Sequence, residues 1–164
     1  MKEAARQARN IQRLTTLYPS FRDRVKKVID RLESEGLRPR IQDAWRSKED
    51  QEKAFKAGKA KLRYGFHNVT SAEGKEEALA VDLLDDDAPL SPTTSYILRL
   101  AAAAEAEGLI TGVRWDMPKN LIRGIDAAIA AKDWEATVKV GWDPLHVQTT
   151  GVSVTEAKLG KRPL

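Results

Sequence analysis

The chain contains only two histidines, His67 and His146, and aspartates accompany them in a way that suggests a metal site. Asp82 lies inside the apolar segment ALAVDLL, where a carboxylate is costly to bury unless it is paired or binds a metal. Imidazole nitrogens and carboxylate oxygens are zinc ligands, and three protein ligands with one open position are typical of a catalytic site. Asp143 precedes His146 by three residues, which suits a general base acting on a metal-activated water. We therefore consider His67, Asp82 and His146 candidate metal ligands.

Each of these residues also has an ordinary structural interpretation. A histidine in a loop is often a surface residue, Asp82 could pair with an arginine, and Asp143 could cap the turn at Pro144. The steps of 15 residues from His67 to Asp82 and of 64 residues from Asp82 to His146 match no compact ligand motif. Spacing alone therefore leaves these alternatives open.

Three consecutive aspartates, Asp85, Asp86 and Asp87, follow the same apolar segment. A polar run in this position is typical of a turn, and we predict that it is solvated. A second metal site at these carboxylates is the alternative interpretation.

The order of the helices and strands predicted below indicates an α+β fold in which helices pack against a small antiparallel sheet. Apolar residues at helical spacing predict a helix in YPSFRDRVKKVIDRLESEG, with Ser20 as its N-cap and Gly36 at its end. The other predicted elements are helices from Ser47 to Gly58, from Ser91 and Pro92 to about Gly108 and over residues 117–134, strands at RPRIQDAW (ending at Arg46), at residues 78–84 and at LHVQT, and a loop over residues 59–77.

Length and composition are those of one ordinary domain, residues 1–164, with 41% apolar and 32% charged residues. The absence of cysteine excludes disulfides, thiolate zinc sites and a cysteine nucleophile. No apolar run is long enough to cross a membrane, and we expect no membrane partner. The net charge of +4 is scattered without a lysine-arginine block, so a nucleic-acid partner is not expected. We expect a monomer.

Four short motifs then occur in a recognisable order. They read WRSKEDQ (Trp45 to Gln51), GFH (ending at His67), ALAVD (ending at Asp82) and WDPLH (ending at His146). In this order they resemble the zinc D-alanyl-D-alanine peptidases and L-alanyl-D-glutamate endopeptidases, which cut bacterial peptidoglycan peptides and include many phage endolysins. The resemblance covers a core from about residue 41 to residue 148.

This resemblance implies a zinc peptidase fold of the Hedgehog and DD-peptidase type, with Zn²⁺ as cofactor. His67, Asp82 and His146 would hold the ion, with water in the fourth position. Asp143 would accept the proton of that water as it attacks the peptide carbonyl and then pass it to the leaving amine.

Further site residues are implied by the first motif. Arg46 is the position where the family's arginine stabilises the oxyanion or binds a substrate carboxylate, a task that suits a fixed, permanently charged guanidinium. Gln51 lies one helical turn past Ser47 and is expected to contact the substrate. Trp115 and Trp142 either line the cleft or belong to the core.

The chain departs from the family pattern at several points. Fourteen residues separate His67 from Asp82, many more than in the family, which indicates an insertion at residues 68–77. Gly65 and Ala78 replace a serine and a glycine, and a second insertion, residues 117–135, precedes the last motif. These departures affect hydrogen bonding around the ligands and substrate specificity more than the ligands themselves.

Within this family the aspartate at position 143 resembles the phage L-alanyl-D-glutamate endopeptidases. The substrate would be a peptidoglycan stem peptide, and the alternatives are a D-Ala-D-Ala carboxypeptidase or a non-catalytic cell-wall-binding module of the same fold. The charged N-terminal segment MKEAARQARN lacks the apolar region of a secretory signal. We expect a protein made in the cytoplasm that reaches the cell wall in the periplasm by release or delivery.

Overall fold

A computed structural model describes all residues, 1–164, as six α-helices and one four-stranded antiparallel sheet. No helix has the length and apolar character that spanning a membrane requires. The helices are α1 (Glu3–Leu14), α2 (Pro19–Ser34), α3 (Lys48–Lys56), α4 (Thr94–Ala106), α5 (Lys119–Ala131) and α6 (Val154–Lys158), and the strands are β1 (Pro39–Asp43), β2 (Ala80–Asp85), β3 (Ile110–Gly112) and β4 (Asp143–Gln148).

The predicted α+β fold with a small antiparallel sheet is confirmed. The strands lie in the order β1-β2-β4-β3, so β2 and β4 are the central pair. The third sequence motif, ALAVD, ends in β2, and the fourth, WDPLH, ends in β4. β2 and β4 pair in antiparallel register, with Asp82 opposite His146 and Val81 opposite Val147. Two residues 64 apart in sequence are therefore cross-strand neighbours.

The main core lies between one face of this sheet and helices α2 and α4. The apolar residues at helical spacing in α2 are all buried, as their pattern predicts: Phe21, Val25, Val28, Ile29 and Leu32. From the sheet, Ile41, Leu83 and Val147 enter the same cluster. The other face of the central strands is left for polar side chains, because successive residues of a strand point to opposite faces.

Helix α1 covers the outer edge of β1 through polar side chains. Arg6 and Asn10 are almost fully buried, and both donate hydrogen bonds to the carbonyl oxygen of Pro39. Asn10 also accepts from the backbone N–H of Ile41, and Arg9 donates to the carbonyl oxygens of Ile41 and Gln42. The free backbone groups of an edge strand are thus paired inside the chain.

Two predicted helix starts are wrong by a few residues. Helix α2 begins at Pro19, whose fixed φ favours the first helical position, and the Ser20 hydroxyl donates to the carbonyl of Pro163 and does not cap. Helix α4 is capped by Thr93, whose hydroxyl accepts from the N–H of Tyr96, so Ser91 and Pro92 precede the helix. The Ser47 cap is confirmed, since its hydroxyl accepts from the N–H of Asp50.

The two insertions have separate structural roles. Residues 68–77 form a small loop closed by a β-bridge between Thr70 and Glu76. Arg162, near the C-terminus, fixes this loop by donating hydrogen bonds to the Glu77 carboxylate and to the carbonyl of Thr70. The second insertion contains α5, which packs against α4 in a separate apolar cluster. Neither insertion lines the cleft described below.

Candidate metal centre

The sheet register brings Asp82 and His146 together on one face. They are directly paired across β2 and β4, and the Oδ1 of Asp82 lies 3.1 Å from the Nδ1 of His146. On the β1 side, Asp82 is opposite Asp43, next to a register shift that leaves Gln42 unpaired. The carboxylate inside the apolar segment is therefore explained by its partners, which are imidazoles and not an arginine.

His67 reaches the same place from a short 3-10 turn, Phe66–Asn68, between α3 and β2. Its Nε2 lies 3.5 Å from the Oδ1 of Asp82, and the side chain is buried, contrary to a surface histidine. Asn68 fixes this turn, because its side-chain oxygen accepts from the N–H of Gly65 and its amide nitrogen donates to the carbonyl of Arg46. The N–H of Arg46 in turn donates to the carbonyl of His67.

The three candidate ligand atoms lie close enough together to hold one metal ion. They all lie within 4.8 Å of one another, and the two distances to Asp82 are 3.1 and 3.5 Å. Tetrahedral zinc with bonds of about 2.0–2.1 Å holds its ligand atoms roughly 3.3 Å apart. Two nitrogens and one carboxylate oxygen also leave one position open, as in catalytic zinc sites.

Each imidazole is held through the nitrogen that does not face Asp82. The Nδ1 of His67 is 2.6 Å from the backbone carbonyl of Ala44, and the Nε2 of His146 is 3.0 Å from the side-chain oxygen of Gln148. Sequence reasoning missed both partners. A backbone carbonyl carries no residue signature, and Gln148 could have been noticed only as the residue on the same face of a strand, two positions past His146.

Asp143 enters the cleft because strand β4 is irregular. A separation of three residues along a regular strand would point Asp143 and His146 to opposite faces. The pairing with β3 jumps from Thr111 opposite Val147 to Gly112 opposite Asp143, so the residues between are not paired on that side. Both side chains consequently line one cleft.

Two glycines make this irregular crossing possible. A Cβ at Gly112 would overlap the backbone of Asp143, and a Cβ at Gly141 would overlap the backbone of Gly112 and Trp115. The N–H of Gly141 donates to the carbonyl of Val113 across the same gap. Sequence reasoning missed both glycines, because nothing in one sequence marks a close backbone approach.

Burial and neighbouring charges shift the pKa values in this cleft. Burial raises the pKa of Asp143, and Asp82 adds to the rise while His146, His67 and Arg46 oppose it. Burial would also raise the pKa of Asp82, but the histidines hold it well below its usual range. Burial lowers the pKa of His67, yet Asp82 outweighs this effect and the net pKa is raised. Asp143 is thus the carboxyl whose proton affinity is increased.

Arg46 lines the cleft but lies three residues past the end of β1, not at the strand end that was predicted. Its guanidinium is paired with Asp43 and donates to the side-chain oxygen of Gln51 over 2.9 Å. The amide nitrogen of Gln51 donates to the carbonyl of Leu62 over 2.7 Å. Gln51 is buried and connects Arg46 to the loop after α3, and its contact with a substrate stays a prediction.

The cleft has a volume of about 530 Å³ and two tryptophans on its wall. Trp115 lies 5.3 Å from the His146 ring and 5.7 Å from Trp142, which is 46% exposed, so the core interpretation is wrong for Trp142. Lys61 lies over the Trp142 ring at 4.0 Å and pairs with Asp116, which brings the loop after α3 to the mouth of the cleft.

Comparisons with known proteins find a likeness among solved structures. No protein-family model matches the chain, and no curated protein matches it. Among solved structures, the chain is similar to the Serratia marcescens L-Ala D-Glu endopeptidase ChiX, with a TM-score of 0.56, 17% identity and coverage of 87% of each chain. The two proteins share a fold. At this identity the likeness extends to architecture, and it agrees with the predicted peptidase-like fold.

The structure therefore places all the predicted site residues around one cleft. His67, Asp82, His146, Asp143 and Arg46 line it directly, and Gln51 lines it while its amide contacts Arg46 and Leu62. The group formed by His67, Asp82 and His146 can hold a metal ion.

The aspartates after β2 do not form the solvated turn that was predicted. Asp85 and Asp86 are buried and only Asp87 is exposed. Asp86 pairs with Arg38 and Arg40, so neighbouring cations explain its burial without a second metal.

Proposed function

We propose that this protein is a zinc-dependent peptidase that hydrolyses stem peptides of bacterial peptidoglycan, as an L-alanyl-D-glutamate endopeptidase. The observation that carries the proposal is the convergence of His67, Asp82 and His146 in a cleft that also contains Asp143 and Arg46. The motif order supports the enzyme class. The fold shared with a protein described as an L-Ala D-Glu endopeptidase supports the substrate class.

The three ligand residues would hold Zn²⁺, which supplies Lewis acidity and a water able to attack near neutral pH. His67 and His146 offer nitrogen lone pairs towards Asp82, because their other nitrogens have acceptors in Ala44 and Gln148. Asp82 contributes the negative charge that favours a cation at this point.

Asp143 is suited to move the proton. It lies in the cleft, and a carboxylate there can accept the proton of the attacking water and deliver it to the leaving amine. It lines the cleft beside the ligands without being one of the three clustered groups. General acid-base catalysis of this kind contributes about 100–10,000-fold to the rate.

Arg46 is suited to bind the negative charge that develops on the substrate carbonyl oxygen. Asp43 and Gln51 fix the guanidinium, so little reorganisation is needed when the charge appears. The same guanidinium could bind a substrate carboxylate, as expected for stem peptides that contain D-glutamate. Trp115 and Trp142 supply an apolar wall for the peptide.

The proposal is tested by digesting purified peptidoglycan with the protein and identifying the fragments by mass spectrometry. We expect cleavage between L-alanine and D-glutamate that a chelator abolishes and added zinc restores. Release of D-alanine alone would indicate the carboxypeptidase alternative. Zinc binding without any fragment would indicate a binding module.

The variant Asp143→Asn separates proton transfer from metal binding. It should retain stoichiometric zinc and lose activity by about 100-fold or more, because an amide cannot accept the proton. Asp133→Asn is the matched control, since Asp133 is exposed and outside the cleft, and it should be as active as the unmodified protein. Full activity of Asp143→Asn would remove Asp143 from the mechanism.

A further inference from the structure

We propose that Gln148 is a positioning residue that fixes the His146 ring in the tautomer able to bind a metal through Nδ1. The inference rests on the proposed zinc site, but it concerns the ring and its hydrogen bonds and not the peptide that is cut. Gln148 does not line the cleft, so it acts through His146 and not on a substrate.

The need for such a residue comes from Asp82. A neutral imidazole carries one proton, and the nitrogen that binds a metal must be the one without it. The Oδ1 of Asp82 lies 3.1 Å from the Nδ1 of His146 and would accept a proton from that nitrogen. Without a competing acceptor, the carboxylate favours the tautomer in which Nδ1 is blocked by hydrogen.

Gln148 supplies the competing acceptor. Its side-chain oxygen lies 3.0 Å from the Nε2 of His146, so a proton on Nε2 is hydrogen-bonded and Nδ1 is left with its lone pair. The two residues lie on the same face of β4 because they are two positions apart. Ala80, opposite Gln148 in β2, has a small side chain that leaves room for the amide on this face.

The two imidazoles are hydrogen-bonded through different ring nitrogens. His67 is fixed through Nδ1 by the carbonyl of Ala44 and presents Nε2, whereas His146 is fixed through Nε2 by Gln148 and presents Nδ1. The rings meet at 72° with their centroids 5.2 Å apart, which lets the two presented nitrogens face one carboxylate. Only the partner of His146 is a side chain, and only it can be changed by substitution.

The experiment compares Gln148→Leu, which removes the acceptor, with Gln148→Glu, which keeps one. Zinc affinity is measured by competition with a chelator. The tautomer is measured from the ring ¹⁵N signals of the metal-free protein at alkaline pH. The chain has only two histidines, so His67 is an internal reference in every spectrum. Gln42→Leu, at an exposed position of β1, is the matched control.

We expect Gln148→Leu to lower zinc affinity by about 10–100-fold, as is usual when a partner of a ligating histidine is removed. The proton of His146 should move from Nε2 to Nδ1 while the His67 signals stay unchanged. Gln148→Glu should keep both the affinity and the tautomer. Gln148→Lys, whose ammonium donates and cannot accept, should weaken zinc binding even if the leucine variant does not fold.

The inference is overturned if the acceptor-free variants bind zinc as the unmodified protein does, or if affinity falls while His146 keeps its proton on Nε2. It is also overturned if Gln148→Glu loses as much affinity as Gln148→Leu. These outcomes are independent of the proposed function, because an unmodified protein that binds zinc and cuts no peptidoglycan contradicts the function and leaves the role of Gln148 intact.

Discussion

Asp82 and Asp86 are only four residues apart in sequence, but different types of side chain contact their carboxylates. Asp82, in β2, faces the imidazoles of His67 and His146. Asp86, just after β2, has a side chain that is 1% exposed and lies 2.9 Å from the Nε of Arg40 and 3.1 Å from an Nη of Arg38. The N-terminal amine of Met1 also lies 3.1 Å from Asp86. Both carboxylates are compensated, but only Asp86 has guanidinium partners, which keep their charge.

This difference distinguishes two sites. At the exchangeable site, Asp82 with His67 and His146, a metal ion can replace protons. At the permanent site, Asp86 with Arg38 and Arg40, the guanidinium groups cannot be replaced in this way. An imidazole releases its proton near neutral pH, so a metal ion can take the place of protons around Asp82. A guanidinium stays charged at any pH a protein meets, so Asp86 is permanently neutralised by the protein itself. Asp86 therefore joins the start of β1 to the end of β2.

The largest effect is expected at the exchangeable site. Asp82→Asn should lower zinc affinity on the order of 100–1000-fold, because zinc binding free energies of about 10–16 kcal/mol are shared among about four ligands. Activity at limiting zinc should be lost. Isothermal titration with zinc measures the change, and tight binding by this variant would contradict the assignment of Asp82 as a ligand.

The second effect is on stability and belongs to the permanent site. Asp86→Asn should lower the free energy of unfolding by roughly 3 kcal/mol, the lower end of the usual cost of breaking a buried ion pair, since Arg38 and Arg40 keep some contact with water. Zinc affinity should not change. Urea unfolding of the metal-free variant measures the loss.

Asp133→Asn is the control for both aspartate variants and should leave the unfolding midpoint and zinc affinity unchanged. An Asp86→Asn protein that is as stable as the unmodified one would show that the Arg38 and Arg40 pairs contribute nothing to folding. A large loss of zinc binding in the same variant would show that the two carboxylates are not separate.

At the exchangeable site, the sequence predicts which residues come together better than it predicts how the fold brings them together. His67, Asp82 and His146 could be named because their residue types are rare in such settings and their motif order is informative. The strand register that joins Asp82 to His146 could not, since it depends on pairing between segments far apart in sequence. The irregularity that turns Asp143 into the cleft has the same origin.

At the permanent site, the sequence-based prediction for the aspartates was wrong. A run of three aspartates is typical of a solvated turn. Local composition does not reveal that Arg38, just before β1, and Arg40, in β1, lie beside these aspartates. Helix α1 was missed for a related reason. Its buried residues are Arg6 and Asn10, so it has no apolar stripe and its packing depends on hydrogen bonds to β1.

The smallest expected effect is the pH dependence of stability, which should differ between the two sites. Burial opposes the charge on His67, but Asp82 raises its pKa above the usual 6.5. A raised pKa stabilises the metal-free fold below about pH 6.5, and this contribution is lost as the pH rises through the folded-state pKa. The stability of the metal-free protein should therefore fall as the pH is raised from about 6.5.

Two variants test whether the fall of stability with pH comes from the exchangeable site. His67→Asn should reduce it, whereas Asp86→Asn should lower stability at every pH measured, since the guanidinium groups of Arg38 and Arg40 stay charged throughout. Saturating zinc should oppose the slope, because zinc competes with protons for the imidazoles and binds more tightly as the pH rises. An unchanged slope in His67→Asn would show that the proton shared with Asp82 does not stabilise the metal-free fold, and the contrast between the two carboxylates would then rest on metal binding alone.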